Sequence, residues 1–229
     1  MVYEAARRAC ADAPAGPDSH DGGLIAESIA RTPQGNRALT SEPDHPYVSR
    51  GGLKLAAALT AFDLDVTGLV CADLGSHVGG FVDCLLQRGA ARVYSVDTSY
   101  GTLAWSLRKV PRVVVLERTN ALHVELPEPV DLVTVDVGWT RQHLILPVAL
   151  RALTPKGVIV SLIKPHYEAD PSNLRRGVLP DDECDRVLRQ VEQRLSEANI
   201  HLSAIVESPI RGRAGNREFL ALVRRIAPL

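Results

Sequence analysis

No apolar run in this 229-residue chain reaches the roughly 18 residues that a membrane-spanning helix needs. The first residues carry Glu4, Arg7, Arg8 and Asp12 where a secretory leader needs an apolar stretch, so the expectation is a cytoplasmic protein with no membrane partner. Cysteine is scarce and scattered: Cys10, Cys71, Cys84 and Cys184 include no C-x-x-C pair, which argues against a disulfide framework and against a zinc site. No metal is therefore expected, and Cys71 and Cys84 read as buried apolar residues. Internal repeats are absent, and so is a strong excess of either charge. The net charge is −1; residues 1–48 hold four Lys/Arg against seven Asp/Glu, leaving 22 against 20 for the remainder. A nucleic-acid partner would have to be gripped by local clusters, such as Arg175 with Arg176 or Arg211, Arg213 and Arg217, which read equally well as solvated loop residues. With 45% apolar and 23% charged residues, the composition is that of an ordinary globular protein with one main core.

One stretch stands out, CADLGSHVGGFVD from Cys71 to Asp83. A short apolar run closes on Asp73; Gly75, Ser76, His77, Gly79 and Gly80 follow, and an amphipathic run starts at Phe81. This pattern predicts a strand, a tight glycine turn and a helix, with glycines that let a ligand approach the main chain. A pyrophosphate at the helix N-terminus would be repelled by Asp73, whereas a cationic cofactor with an amino group would be attracted. Asp97, which ends the next apolar run, is placed to accept both hydroxyls of a ribose. An adenosine with a positively charged amino-acid arm satisfies both carboxylates, and S-adenosylmethionine is the cofactor expected.

Residues 1–44, interrupted by Pro14, Pro17, Gly22, Gly23, Pro33 and Gly35, read as a poorly ordered arm or lid, and residues 45–229 as one folded domain. Within it LKLAAALTAF, from Leu53, predicts a helix with one conspicuous cation, Lys54. Strands are expected near 69–73, 92–97, 112–116, 130–135, 157–163, 200–206 and 217–225, and further helices near 80–88, 101–108, 141–152 and 181–198. Such alternation implies an α/β fold, a parallel sheet covered by helices, with ligands outside the carboxyl ends of the strands. Asp73, Asp97, Asn120, Asp136 and Lys164 all fall at or just past such ends, so one edge of the sheet is expected to carry the site.

The segments YVSRGGLKL, DLGSHVGGFVDCLLQRGAARVYSVD, YGTLAWSLR, RVVVLERTNA, PVDLVTVDV, LIKPHYE and GNREFLALV together resemble the TlyA branch of the FtsJ-like methyltransferases, over about Tyr47 to Arg225. The resemblance implies a Rossmann-like seven-stranded sheet with the last strand antiparallel and helices on both faces. It also implies S-adenosylmethionine as cofactor, transfer to a ribose 2′-hydroxyl of ribosomal RNA, and a Lys-Asp-Lys-Glu tetrad at Lys54, Asp136, Lys164 and Glu218. Asp73, Gly75, Ser76, His77, Gly79, Gly80, Phe81, Asp97, Thr119, Asn120 and Asp136 are then the cofactor candidates, and Arg50, Trp139, His166, Tyr167 and Arg211 the substrate candidates. In place of the family's S4-like N-terminal domain stands the arm of residues 1–44. The family's Asp-Val-Ser-Phe reads Asp136, Val137, Gly138, Trp139, and its Lys-Pro-Gln-Phe-Glu reads Lys164, Pro165, His166, Tyr167, Glu168. These departures bear on substrate choice, and leave a free nucleoside or another small hydroxylated metabolite as the alternative acceptor. A third reading, a non-catalytic cofactor-binding or membrane-active protein, has the complete tetrad against it and no basic amphipathic helix in its favour.

Methyl transfer to a hydroxyl needs in-line alignment and removal of the hydroxyl proton. Lys164 is the candidate base, although a free lysine titrates near 10.4. Lys54 and the sulfonium push its pKa down; Asp136 and Glu218 pull it up. One unit charge at about 4 Å is worth roughly 4 kcal/mol at an effective dielectric of 20, about three pKa units, so the balance decides its protonation state. Asp136 is expected beside the methyl group, Glu218 as the orienter of one lysine, and Lys54 as a substrate holder. His123, His143 and His201 read as structural. Trp105 is expected to pack on the cofactor-side helix, and Trp139 can stack a base.

Overall fold

The computed structural model describes residues 45–225. The arm of residues 1–44 lies outside the described residues, as does Cys10. Seven strands form one sheet in the order β3-β2-β1-β4-β5-β7-β6. They are β1 Val70–Leu74, β2 Arg92–Val96, β3 Val113–Leu116, β4 Val130–Val135, β5 Leu153–Ile163, β6 Leu202–Glu207 and β7 Phe219–Arg224. β7 runs antiparallel to both β5 and β6, and the other pairings are parallel, as expected.

The central strands are apolar almost throughout because helices cover both faces. One layer of core packs α1 Gly51–Ala61 and α2 Gly80–Gln87 against the sheet through Leu55, Leu59, Val82 and Leu85. The other packs α4 Gln142–Ala152 and α6 Asp181–Glu197 through Ile145, Leu146, Val187 and Leu188. In α6 the buried residues Cys184, Val187, Leu188, Val191 and Leu195 follow the 3.6-residue period, and Asp181, Asp182 and Glu183 complement the positive end of the helix dipole. Cys71, Cys84 and Cys184 are free and buried.

Some expected elements differ. The helix near 101–108 shrinks to α3 Trp105–Arg108, because Gly101 sits at φ +75° and donates its N–H to Glu117 instead of starting a helix. Trp105 does not pack inward; it is 69% exposed, with the Lys109 ammonium 5.1 Å from its ring centre. β5 starts at Leu153 rather than 157: Leu153 pairs with Val130 across a register shift that absorbs Pro155 and Gly157. A one-turn helix, α5 Pro165–Glu168, follows β5 directly.

The antiparallel strand has a positional consequence. Ile163 pairs with Phe219, so the residue entering β7, Glu218, lies beside the residue leaving β5, Lys164. A parallel β7 would have put Glu218 at the opposite edge.

Candidate active site

The carboxyl ends of β1 to β5 open on a cleft of about 510 Å³ lined by Asp97, Thr119, Asn120, Asp136, Trp139 and Lys164 among others. A smaller cavity of about 70 Å³ adjoins it at Gly75, His77 and Asp136 and runs between Ser49, Asp73, Ser76 and Phe81.

The turn between β1 and α2 follows the expected strand, glycine turn and helix, and Gly75 and Gly80 line the cavities. A Cβ on Gly75, at φ +91°, would stand 2.5 Å from the carbonyl oxygen of Asp136; one on Gly79, at φ +102°, 2.4 Å from Leu107; one on Gly80, 2.3 Å from the Ser49 hydroxyl. All three glycines are therefore required by contacts with the protein itself, and Gly79 packs on Leu107 of α3 and on Leu103. His77 occupies a left-handed conformation at φ +47°, and its N–H is donated to Asp97 Oδ2 at 2.7 Å.

Asp73 is 1% exposed. Its Oδ1 accepts a 2.6 Å bond from Thr134, while its Oδ2 is buried with no partner. Burial pushes this carboxyl up to about 7, against the Thr134 hydrogen bond, with Asp136 and Asp97 adding to the rise. An unsatisfied acceptor facing a cavity suits a ligand ammonium. Asp97 is held by backbone donors on both oxygens, His77 N–H and Ser99 N–H. Burial raises its pKa, but hydrogen bonds from Ser99 and His77 outweigh that and leave it below the ordinary range. Asp97 therefore stays ionised with lone pairs toward the cleft. Thr119 donates its N–H to the Asp97 carbonyl, and Asn120 caps the short turn Ala121–His123 through Leu122 N–H.

Two ion pairs adjoin each other, of which only Lys164 and Asp136 line the cleft; Lys54 and Glu218, like the expected substrate residues Arg50, His166 and Tyr167, are not among its lining residues. Lys54 of α1 meets Glu218 at 2.5 Å, and Lys164 meets Asp136 at 2.5 Å. Lys164 also donates to the Val137 carbonyl at 3.3 Å. Burial alone would lower the Lys164 pKa, yet Asp136 and then Glu218 more than compensate and it lies above its ordinary value. The sign left open by the sequence is thus resolved toward a resting ammonium.

Beyond the pairs, Trp139 is 80% exposed at φ +59°, and its ring centre lies 4.5 Å from that of Tyr167. His166 lies 4.2 Å from Tyr167 on the same basis; burial and then the charges of Lys164 and Lys54 push it down to about 4, so it is neutral near pH 7. Arg50 is the half-buried N-cap of α1, four residues before Lys54. Arg211 does not reach the cleft lining; its guanidinium forks onto Asp181 at 3.0 and 2.6 Å, so the expected phosphate grip there is replaced by a carboxylate. Arg217 likewise pairs with Glu207 and Asp185.

Sequence reasoning missed the supports. Thr134 holds Asp73, and Glu168 accepts the N–H of Gln142, whose side chain bonds Leu162 O and Ser161, so α4 and the Lys164 turn are tied together. Thr134 and Ser161 are polar residues inside apolar strands, a signal visible in the chain.

A family model described as FtsJ-like methyltransferase matches residues 47–225. The chain is 39% identical over 210 residues to the 16S/23S rRNA (cytidine-2′-O)-methyltransferase TlyA of Mycobacterium tuberculosis, covering 88% of this chain and 78% of that protein. It is 33% identical over 184 residues to Hemolysin A of Brachyspira hyodysenteriae, 76% of this chain and 75% of that one. Among solved structures, a Streptococcus thermophilus protein named as a candidate hemolysin superposes with a TM-score of 0.76 at 34% identity, covering 81% of this chain and 69% of that one.

Proposed function

We propose a reaction for this chain, which belongs to the FtsJ-like methyltransferase family: transfer of a methyl group from S-adenosylmethionine to a ribose 2′-hydroxyl of ribosomal RNA. S-adenosylmethionine, when bound, supplies a methyl group activated by a positive sulfur. Asp73 Oδ2, the orphaned acceptor of the small cavity, takes the ammonium of the amino-acid arm, and Asp97 takes the ribose hydroxyls. Thr119 and Asn120 line the nucleoside end of the cleft.

The observation that carries the reading is that the Lys54–Glu218 pair lies beside the Lys164–Asp136 pair, which lines the cleft together with the exposed Trp139. A 2′-hydroxyl entering there would have its oxygen oriented by the Lys54 ammonium, with Lys164 as the proton acceptor. Lys164 must first give its resting proton to solvent, and the neutral amine then takes the hydroxyl proton; a positively charged cofactor, when bound, would favour the first loss by like-charge repulsion. Trp139, supported by Tyr167, offers a face for the base of the acceptor nucleotide.

One observation favours the second reading, a free nucleoside or other small hydroxylated acceptor: Arg211 and Arg217 are already paired with carboxylates and offer little to phosphate. Incubation with methyl-labelled cofactor separates the two readings. The proposal expects label in ribosomal RNA at a rate well above that for any member of a nucleoside panel, and label in nucleosides alone would overturn it.

A further inference from the structure

We propose that Gly212 is a positioning residue: its missing side chain makes the socket that holds the Glu218 carboxylate against Lys54. The inference rests on the reading of Glu218 as part of the reacting edge.

A Cβ built on Gly212 would stand 2.4 Å from Glu218 Oε1, closer than a non-bonded carbon tolerates, and a tight 3.0 Å from its Cδ. Oε2 of the same carboxylate holds Lys54 Nζ at 2.5 Å, and the Glu218 side chain is only 5% exposed. The carboxylate is therefore pinned between an ammonium on one side and a bare backbone on the other. Gly212 is absent from the residues with left-handed φ, so its backbone is one that alanine also adopts.

The loop that carries Gly212 has little room to yield. Gly212 N–H is donated to the Asn216 carbonyl at 2.9 Å, and Gly215 N–H to the Gly212 carbonyl at 2.8 Å. Asn216, 2% exposed, accepts Leu179 N–H and donates to the Gly177 carbonyl, which ties this loop to the segment before α6. Arg211 adds its fork to Asp181. With the loop fixed and the carboxylate at the end of a three-torsion side chain, the carboxylate is what moves when a methyl group is added. Glycine at 212 is then a requirement of the ion pair, not of the fold.

Crystal structures and single-turnover assays of Gly212→Ala, Glu218→Asp and the double variant test this. In Gly212→Ala the Lys54–Glu218 separation should open beyond about 4 Å, the limit of an ion pair. Turnover with labelled S-adenosylmethionine and ribosomal RNA should fall by about 10- to 100-fold, the cost of a misplacement near 1 Å. Cofactor affinity should stay within about twofold, since neither Gly212 nor Glu218 lines the cleft or the small cavity, while the melting temperature should fall, because opening a buried ion pair is destabilising. Aspartate, shorter by one methylene, leaves room for the added methyl group, so the double variant should turn over faster than Gly212→Ala. Retention of the ion pair in Gly212→Ala, wild-type turnover, or a double variant no better than Gly212→Ala would each overturn the inference. A wild-type protein inactive on RNA would instead overturn the ribose reading, and the crystallographic separation would still decide the role of Gly212.

Discussion

Asp73 carries an unusual charge state among the site residues. A carboxyl pushed up to about 7 by burial is largely protonated below that pH in the cofactor-free protein, and a bound ammonium favours its ionised form. Binding S-adenosylmethionine between pH 5.5 and 7 should therefore release a proton, and affinity should weaken by up to about tenfold per pH unit below 7. Over that range the ligand amino group stays charged, so the dependence belongs to the protein. Calorimetry in buffers of different ionisation enthalpy measures the proton, and Asp73→Asn should abolish both effects; a pH-independent affinity in the wild type would contradict the assignment. Lys164 is tested by charge-conserving replacement. Lys164→Ala should lose about 10² to 10⁴ in single-turnover rate with cofactor affinity kept, and Lys164→Arg should be equally poor because arginine does not give up its proton. A near-wild-type Lys164→Arg would mean that charge alone suffices. At this scale the sequence disclosed residue types but not their partners. Asp136 and Lys164 were legible as strand-end residues, whereas the orphaned Oδ2 of Asp73 and the forked Arg211–Asp181 pair depend on residues up to 61 positions apart meeting in space.

At the scale of elements, the turn after β1 shows a legible motif with a packing constraint that the sequence did not disclose. Strand, glycines and helix were readable from their order, but the close approach of Asp136, Leu107 and Ser49 to the three glycines was not. Gly79→Ala should then destabilise the fold by about 1–3 kcal/mol, through overpacking against Leu103 and Leu107 and the strain of a left-handed φ. Urea unfolding measures it, and a change under about 0.5 kcal/mol, the scatter of neutral surface substitutions, would contradict the packing account. Element ends were the least legible part. The start of β5 at Leu153 depends on pairing with Val130 across a register shift, and α3 is cut short by Gly101 bonding to Glu117, both consequences of tertiary contacts that no local pattern encodes.

At the scale of the whole molecule, one topological feature assembles the site. Five parallel strands deliver Asp73, Asp97, Asn120, Asp136 and Lys164 to one edge, and only the reversed β7 brings Glu218 to the same place. The alternation of strands and helices disclosed the first part, and the reversal came from family resemblance. No helix among the described residues is long and apolar enough to cross a membrane. Charge is nearly balanced beyond residue 48, so binding of ribosomal RNA should show a modest salt slope, about −2 to −4 in log K against log salt, the signature of a few phosphate contacts. A slope of zero in a filter-binding titration would remove phosphate recognition. The central claim is that the methyl group goes to a ribose 2′-oxygen. Ribosomal RNA labelled by the protein with methyl-tritiated S-adenosylmethionine can be hydrolysed in alkali, which cleaves next to every free 2′-hydroxyl. The account predicts that the label appears in alkali-resistant dinucleotides; label released in mononucleotides would place the methyl group on a base and contradict it.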